Sequence, residues 1–172
     1  MNQQSADVSE ELTPMLLQLG KALFICQGFE GTLTFLLSIM SHEEAKGEDG
    51  AFTAAIDLYS EKTLGQLLKC LGNKLKIPPE LQGHLETGWK RRNVVVHRFL
   101  HEQVLQLADP KGRLEAEHLL AQYTKEIKFA DLAANKVLDM FLTKYGTSVD
   151  DLKRNADRQW EYMNPTASDN KH

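Results

Sequence analysis

The chain has 172 residues, 42% of them hydrophobic and 26% charged, and a formal net charge of −4. That length suits one domain with a sizeable core, and the composition is that of a globular protein. The acidic balance excludes bulk electrostatic attraction to nucleic acid, so any contact with a polyanion has to be local. Met1 to Glu11 is polar and acidic, unlike the basic start of a secretory leader. The longest apolar runs are broken by Gln27, Glu30 and Thr34, short of the roughly 18 apolar residues that span a bilayer. The expected setting is the cytoplasm, with no membrane contact.

The elements are all helical in pattern. Thr13-Pro14 has the form of a helix start, threonine as cap and proline in the first turn. From there Met15/Leu16, Leu19, Ala22/Leu23, Cys26, Phe29, Leu33, Leu36/Leu37 and Met40 recur at the spacing of one buried helix face. Gly20, Gly28 and Gly31 lie within this helix and imply either a close neighbour or a kink. Glu30 is an acid on the inner side, beside Cys26 and Leu33. It either pairs with an arginine from elsewhere or reaches solvent. Ser41 to Gly50 is a loop by composition, and Ala51 to Leu58 a short helix.

Thr63-Leu64-Gly65-Gln66 has capping-box form and opens a helix through Leu75. Ile77-Pro78-Pro79-Glu80 breaks the chain and restarts it. The helix that follows is expected to run to Leu107, with Leu81, Leu85, Trp89, Val96, Leu100 and Val104 on one side, although Val94-Val95-Val96 is a β-branched run of poor helix propensity. Asp109-Pro110-Lys111-Gly112 is a turn. A long helix then covers Leu114 to Tyr145, with Gly146 placed as its C-terminal cap. Ser148 starts a last amphipathic helix through Trp160 to Met163, and the rings of Trp160 and Tyr162 are expected to dock on the bundle rather than on a partner. Cys26 and Cys70 sit on apolar stripes and are expected to be free core thiols. The sum is an all-α chain, an up-and-down helical bundle of four main helices plus short extra ones. It forms one domain over residues 1–163, followed by a polar, disordered tail over 164–172.

The chemistry concentrates in Trp89-Lys90-Arg91-Arg92-Asn93-Val94-Val95-Val96-His97-Arg98. Between His84 and Leu105 the chain carries Lys90, Arg91, Arg92 and Arg98 against only Glu86 and Glu102, together with His84, His97 and His101. Cation, amide and imidazole at this spacing suit the handling of a phosphate, although a solvated charged helix face would carry the same residue types. His97 and His101, four apart, could also bind a metal from one helix face, but a third ligand would have to come from elsewhere. At 100° per residue Arg92 and His97 lie about 140° apart around a helix. The arginine therefore has to reach around, or a second molecule has to complete the site.

Four residues separate Arg92 from His97, and Asn93 directly follows the arginine. This resembles the motif of HEPN domains, an Arg, four to six intervening residues and a His, with a polar residue commonly after the Arg, on a late helix of an α-helical bundle. The resemblance covers the helix order over most of the chain, while only these few residues are motif-grade. It implies a metal-independent endoribonuclease, of toxin or defence type, that needs no cofactor and cleaves RNA by attack of the 2′-hydroxyl. His97 would act as general acid or base, Arg92 would stabilise charge on the phosphate, and Asn93 would orient the imidazole or bond a phosphate. Lys90, Arg91, Arg98 and His101 would hold the RNA backbone. It also implies a homodimer whose motif helices line one cleft, and a possible cognate antitoxin protein. In HEPN proteins paired with a small nucleotidyltransferase a Tyr two residues after the motif His is the modification target. Phe99 stands there instead, so the resemblance does not extend to silencing at that position. The alternative is a non-catalytic helical dimer acting as a regulator or adaptor.

Overall fold

A computed structural model gives the fold and describes residues 3–152, 154 and 158, with side chains from residue 11 onward. The protein is all-α, with no strand among the described residues. The elements are α1 (Gln3–Glu44), α2 (Ala51–Ser60), α3 (Leu64–Lys74), α4 (Pro79–His97), α5 (Phe99–Gln103), a 3₁₀ turn (Gln106–Ala108) and α6 (Pro110–Thr143). The chain divides into two compact units, Met1–Ala134 and Asn135–His172, and α6 crosses the boundary.

In the first unit α1 is the central element. Met15, Leu19, Ala22, Cys26, Phe29, Leu33, Leu36 and Met40 are all buried. They alternate steps of four and three, the spacing of a seam between long helices. Leu16 and Leu23, the other members of their apolar pairs, face solvent. Full burial of each large side chain along this seam contributes about 1.5–3 kcal/mol. α6 answers with Ala116, Leu120, Ile127, Ala130, Ala133 and Ala134, equally buried, and its alanines let backbones approach closely.

Cross-links show the direction of the helices. Glu11 pairs with Arg113, Gln18 Nε2 donates to Thr124 Oγ1 at 3.4 Å, and Thr32 Oγ1 donates to Asp131 Oδ1 at 2.8 Å, so α1 and α6 run the same way. α4 opposes α6, because Gly88 meets Ala130 while Arg91, further along α4, meets Glu126, earlier on α6. The three long helices thus alternate in direction in chain order. The fourth main helix expected from Ser148 to Met163 is described only at its start, where Ser148 Oγ accepts from the Asp151 amide at 3.1 Å. Trp160, Tyr162 and the tail 164–172 lie outside the described residues.

Several boundaries differ from the sequence expectation, each for a local reason. Pro14 lies inside α1 rather than at its start. The preceding segment holds no glycine or other proline, so the helix extends back and gives up only the bond that the proline nitrogen cannot make. At its other end α1 continues to Glu44 and closes where Gly47 N–H donates to His42 O and Lys46 N–H to Glu43 O, with Lys46 at φ +55°. α3 opens on the expected capping box, Thr63 with Gln66. Close approach occurs not at Gly20, Gly28 or Gly31, which face open space, but at Gly88. A Cβ there would lie 2.1 Å from the Ala130 Cβ and 3.3 Å from the Phe29 ring.

The expected helix to Leu107 stops at His97. Arg98 leaves helical geometry at φ −129°, ψ −23°, directly after the β-branched run, and α5 restarts at Phe99. Of the apolar side expected for this segment only Leu85 is buried. Val95 and Phe99 take the inner positions, while Trp89, Val96, Leu100 and Val104 face solvent. In the second unit α6 ends as expected on Gly146, at φ +72°, with the Thr147 amide bonded to Leu142 O and the Gly146 amide to Thr143 O. The Glu11–Glu44 stretch of α1 is, contrary to the sequence expectation, long and apolar enough to cross a membrane by length and composition. In the fold its seam faces α2, α3, α4 and α6.

Candidate active site

Gly88 is where the site begins. With hydrogen in place of a side chain, α4 rests directly on Ala130 of α6 and on the Phe29 ring of α1. One turn further on, Arg91 and Arg92 leave α4 on either side of this crossing. Arg91 turns to α6, where its Nε is bonded to Glu126 and its guanidinium lies 4.7 Å from the centre of the Tyr123 ring. Arg92 turns to α1, where its Nε donates to Glu30 Oε1 at 2.5 Å. The two open alternatives for Glu30 are thereby decided: it pairs with an arginine of the motif helix.

Arg92 uses a second arm of its fork as well. Nη1 lies 3.0 Å from His97 Nε2 and 3.4 Å from Asn93 Oδ1. The angular gap around α4 is bridged by the length of the arginine, so this contact needs no second molecule. A guanidinium has donors only, so His97 Nε2 accepts, and the neutral imidazole carries its proton on Nδ1. For Nη2 no hydrogen bond is found among the described residues. The arginine is largely buried, at 17% side-chain exposure, whereas His97 is exposed at the last residue of α4.

The remaining expected residues are not gathered into this cluster. Lys90 and His101 are exposed, and Arg98 is exposed with a long contact of 3.7 Å to Glu102. The break at Arg98 separates His97 from His101, so the two do not share one continuous helix face. Arg91 is committed to Glu126 and lies on the opposite side of the crossing from Glu30.

Charge adjusts to this packing. Burial pushes the Glu126 carboxyl up, but hydrogen bonds from Arg91 and Gln122 outweigh it and hold the group below its ordinary value. The bond that Arg91 donates to Glu126 in turn raises Arg91 above its ordinary value. Cys26, one turn before Glu30 and fully buried, has its thiol pushed up to about 11 by burial, so it is not a nucleophile. Gly88 and Glu126 were not among the residues that the sequence pointed to. A single glycine in a helical pattern and an acid on a mostly polar face carry no motif, and only their placement opposite Ala130 and Arg91 gives them weight.

Comparison with family models, with curated proteins and with solved structures gives no match for this chain.

Proposed function

We propose that the protein is a metal-independent endoribonuclease of HEPN type, acting in the cytoplasm as a toxin or defence element. The observation that carries this reading is the contact of Arg92 Nη1 with His97 Nε2 at 3.0 Å, with Asn93 beside it. The residues of the motif converge, although their positions on the helix point apart. RNA supplies its own nucleophile. Once the bound phosphate draws Arg92 Nη1 away from His97 Nε2, that nitrogen takes the proton of the 2′-hydroxyl as the oxygen bonds to phosphorus, the bond to the 5′-oxygen breaks, and the leaving oxygen receives the proton. Arg92, through Nη2, stabilises the charge that gathers on the phosphate oxygens. Lys90, Arg98 and His101, exposed on the same stretch, are available to the backbone of the RNA. Arg91, held by Glu126, has a lesser part in this reading.

A homodimer through α4 and α5 belongs to the proposal. Its support is the exposure of Trp89, Val96, Leu100, Val104 and Leu105, apolar residues on the chain segment that carries His97. A cognate antitoxin protein is a further candidate for that surface. The same residues support the second reading, a non-catalytic helical dimer that regulates or bridges other proteins. Substrate chemistry separates the two. The nuclease leaves a 2′,3′-cyclic phosphate or 3′-phosphate and a 5′-hydroxyl, and it spares DNA and RNA with a 2′-O-methyl group at the scissile nucleotide. Equal cutting of the 2′-O-methyl substrate rejects the mechanism, and no cutting of any RNA favours the binding protein.

A further inference from the structure

The ribonuclease reading assigns no part to Glu30. Yet among the described residues Glu30 is the acid that touches the motif arginine, and it does so from a different helix. A half-buried carboxylate on the inner side of α1 is a costly group unless it is paired. Its partner here is the Nε of Arg92, the position nearest the aliphatic stem and thus the one that fixes the plane of the fork. Once Nε is held, the direction of Nη1 is set, and it points at His97 Nε2 and Asn93 Oδ1. The guanidinium is rigid and planar, so a constraint at one corner is transmitted to the other.

We infer that Glu30 is a positioning residue for the proposed site: through Arg92 it fixes His97 as the tautomer with Nε2 free of hydrogen. This rests on the ribonuclease reading for its purpose, though not for its geometry. A free neutral imidazole prefers the proton on Nε2. Held against Arg92, His97 instead keeps its proton on Nδ1, with the Nε2 lone pair directed at Nη1; Nε2 serves as a base once a bound phosphate draws Nη1 away. Cys26, the other titratable group that α1 brings near this ion pair, is a neutral thiol and does not compete for Arg92.

The test reads the tautomer directly, by nitrogen-15 NMR of histidine-labelled protein at alkaline pH, where imidazoles are neutral. The His97 signal is identified by its loss in His97→Ala. Wild type is expected to show a protonated Nδ1 and an accepting Nε2. Glu30→Leu moves the proton to Nε2, Glu30→Gln keeps the wild-type pattern because its amide oxygen still accepts from Nε, and Arg92→Lys loses the pattern because an ammonium lacks the second arm. Should the leucine variant fail to fold, Glu30→Ala replaces it, with circular dichroism confirming the helical state. In RNA cleavage Glu30→Leu falls by about 10²-fold, the scale of a lost electrostatic or acid–base group, while Glu30→Gln restores most of the rate. An unchanged tautomer in a folded Glu30→Leu or Glu30→Ala protein overturns the inference. If wild type cuts no RNA, the ribonuclease reading falls, and the tautomer measurement still decides the role of Glu30.

Discussion

At the scale of single residues, the position with most consequence is a glycine. The hydrogen of Gly88 occupies the point where α4, α6 and the Phe29 ring meet, and a methyl group there would overlap the Ala130 Cβ. Gly88→Ala gains helix propensity but forces the helices apart. The expected net is a loss of about 1–3 kcal/mol, read by urea denaturation, and a loosening of the Arg92–His97 contact one turn away. Cys26 gives a prediction with a sign. Its folded thiol titrates near 11 against an ordinary value of 9.0, so the unfolded chain loses this proton more readily than the folded one. The contribution is fully present below pH 9.0 and is lost as pH rises towards about 11. Stability measured across that window should decline in wild type and decline less in Cys26→Ala. The same burial predicts that Cys26 resists alkylation in the native protein at neutral pH. Equal reactivity before and after unfolding would contradict it.

At the scale of elements, much was legible because each helix carries its own pattern. The seam of α1, the capping box of α3, the proline start of α4 and the Gly146 cap of α6 are local signals that packing has no reason to override. Pairs such as Met15/Leu16 and Ala22/Leu23 were ambiguous in the sequence, since both members lie near the stripe, and only the neighbour across the seam chooses between them. The segment after Trp89 departs from its expected face for a related reason. Its apolar residues are too many for one face, and the β-branched run that weakens the helix at Val94 to Val96 ends it at His97, so Val95 and Phe99 go inward while Val96, Leu100 and Val104 go out. The end of α1 is a further local conflict. Lys46 adopts the left-handed conformation at φ +55° that glycine takes without strain. Lys46→Gly is expected to stabilise the protein by about 1 kcal/mol, seen as a higher denaturation midpoint. A lower one would contradict this account of the cap.

At the scale of the whole molecule, helical class followed from periodicity, whereas the site did not follow from spacing alone. Arg92 and His97 are far apart in angle on their helix, and the sequence left two ways to join them. The structure joins them within one chain, through a side chain anchored on Glu30 of α1, which no local pattern could show because the two residues are remote in sequence. Self-association therefore rests on the exposed apolar residues of the segment that carries His97 and not on an incomplete site. Sedimentation at tens of micromolar is expected to show a dimer that Trp89→Glu with Leu100→Glu dissociates, and a monomeric wild type would remove the dimer from the proposal.

Arg92 and His97 are proposed to form one metal-independent site. The most direct measurement is the rate of RNA cleavage in EDTA by wild type, Arg92→Ala and His97→Ala, each shown to be folded. The expected result is cleavage by wild type that survives the chelator and falls at least ~10²-fold in either variant. Cleavage that requires added Mg²⁺, or a His97→Ala protein as fast as wild type, would contradict it.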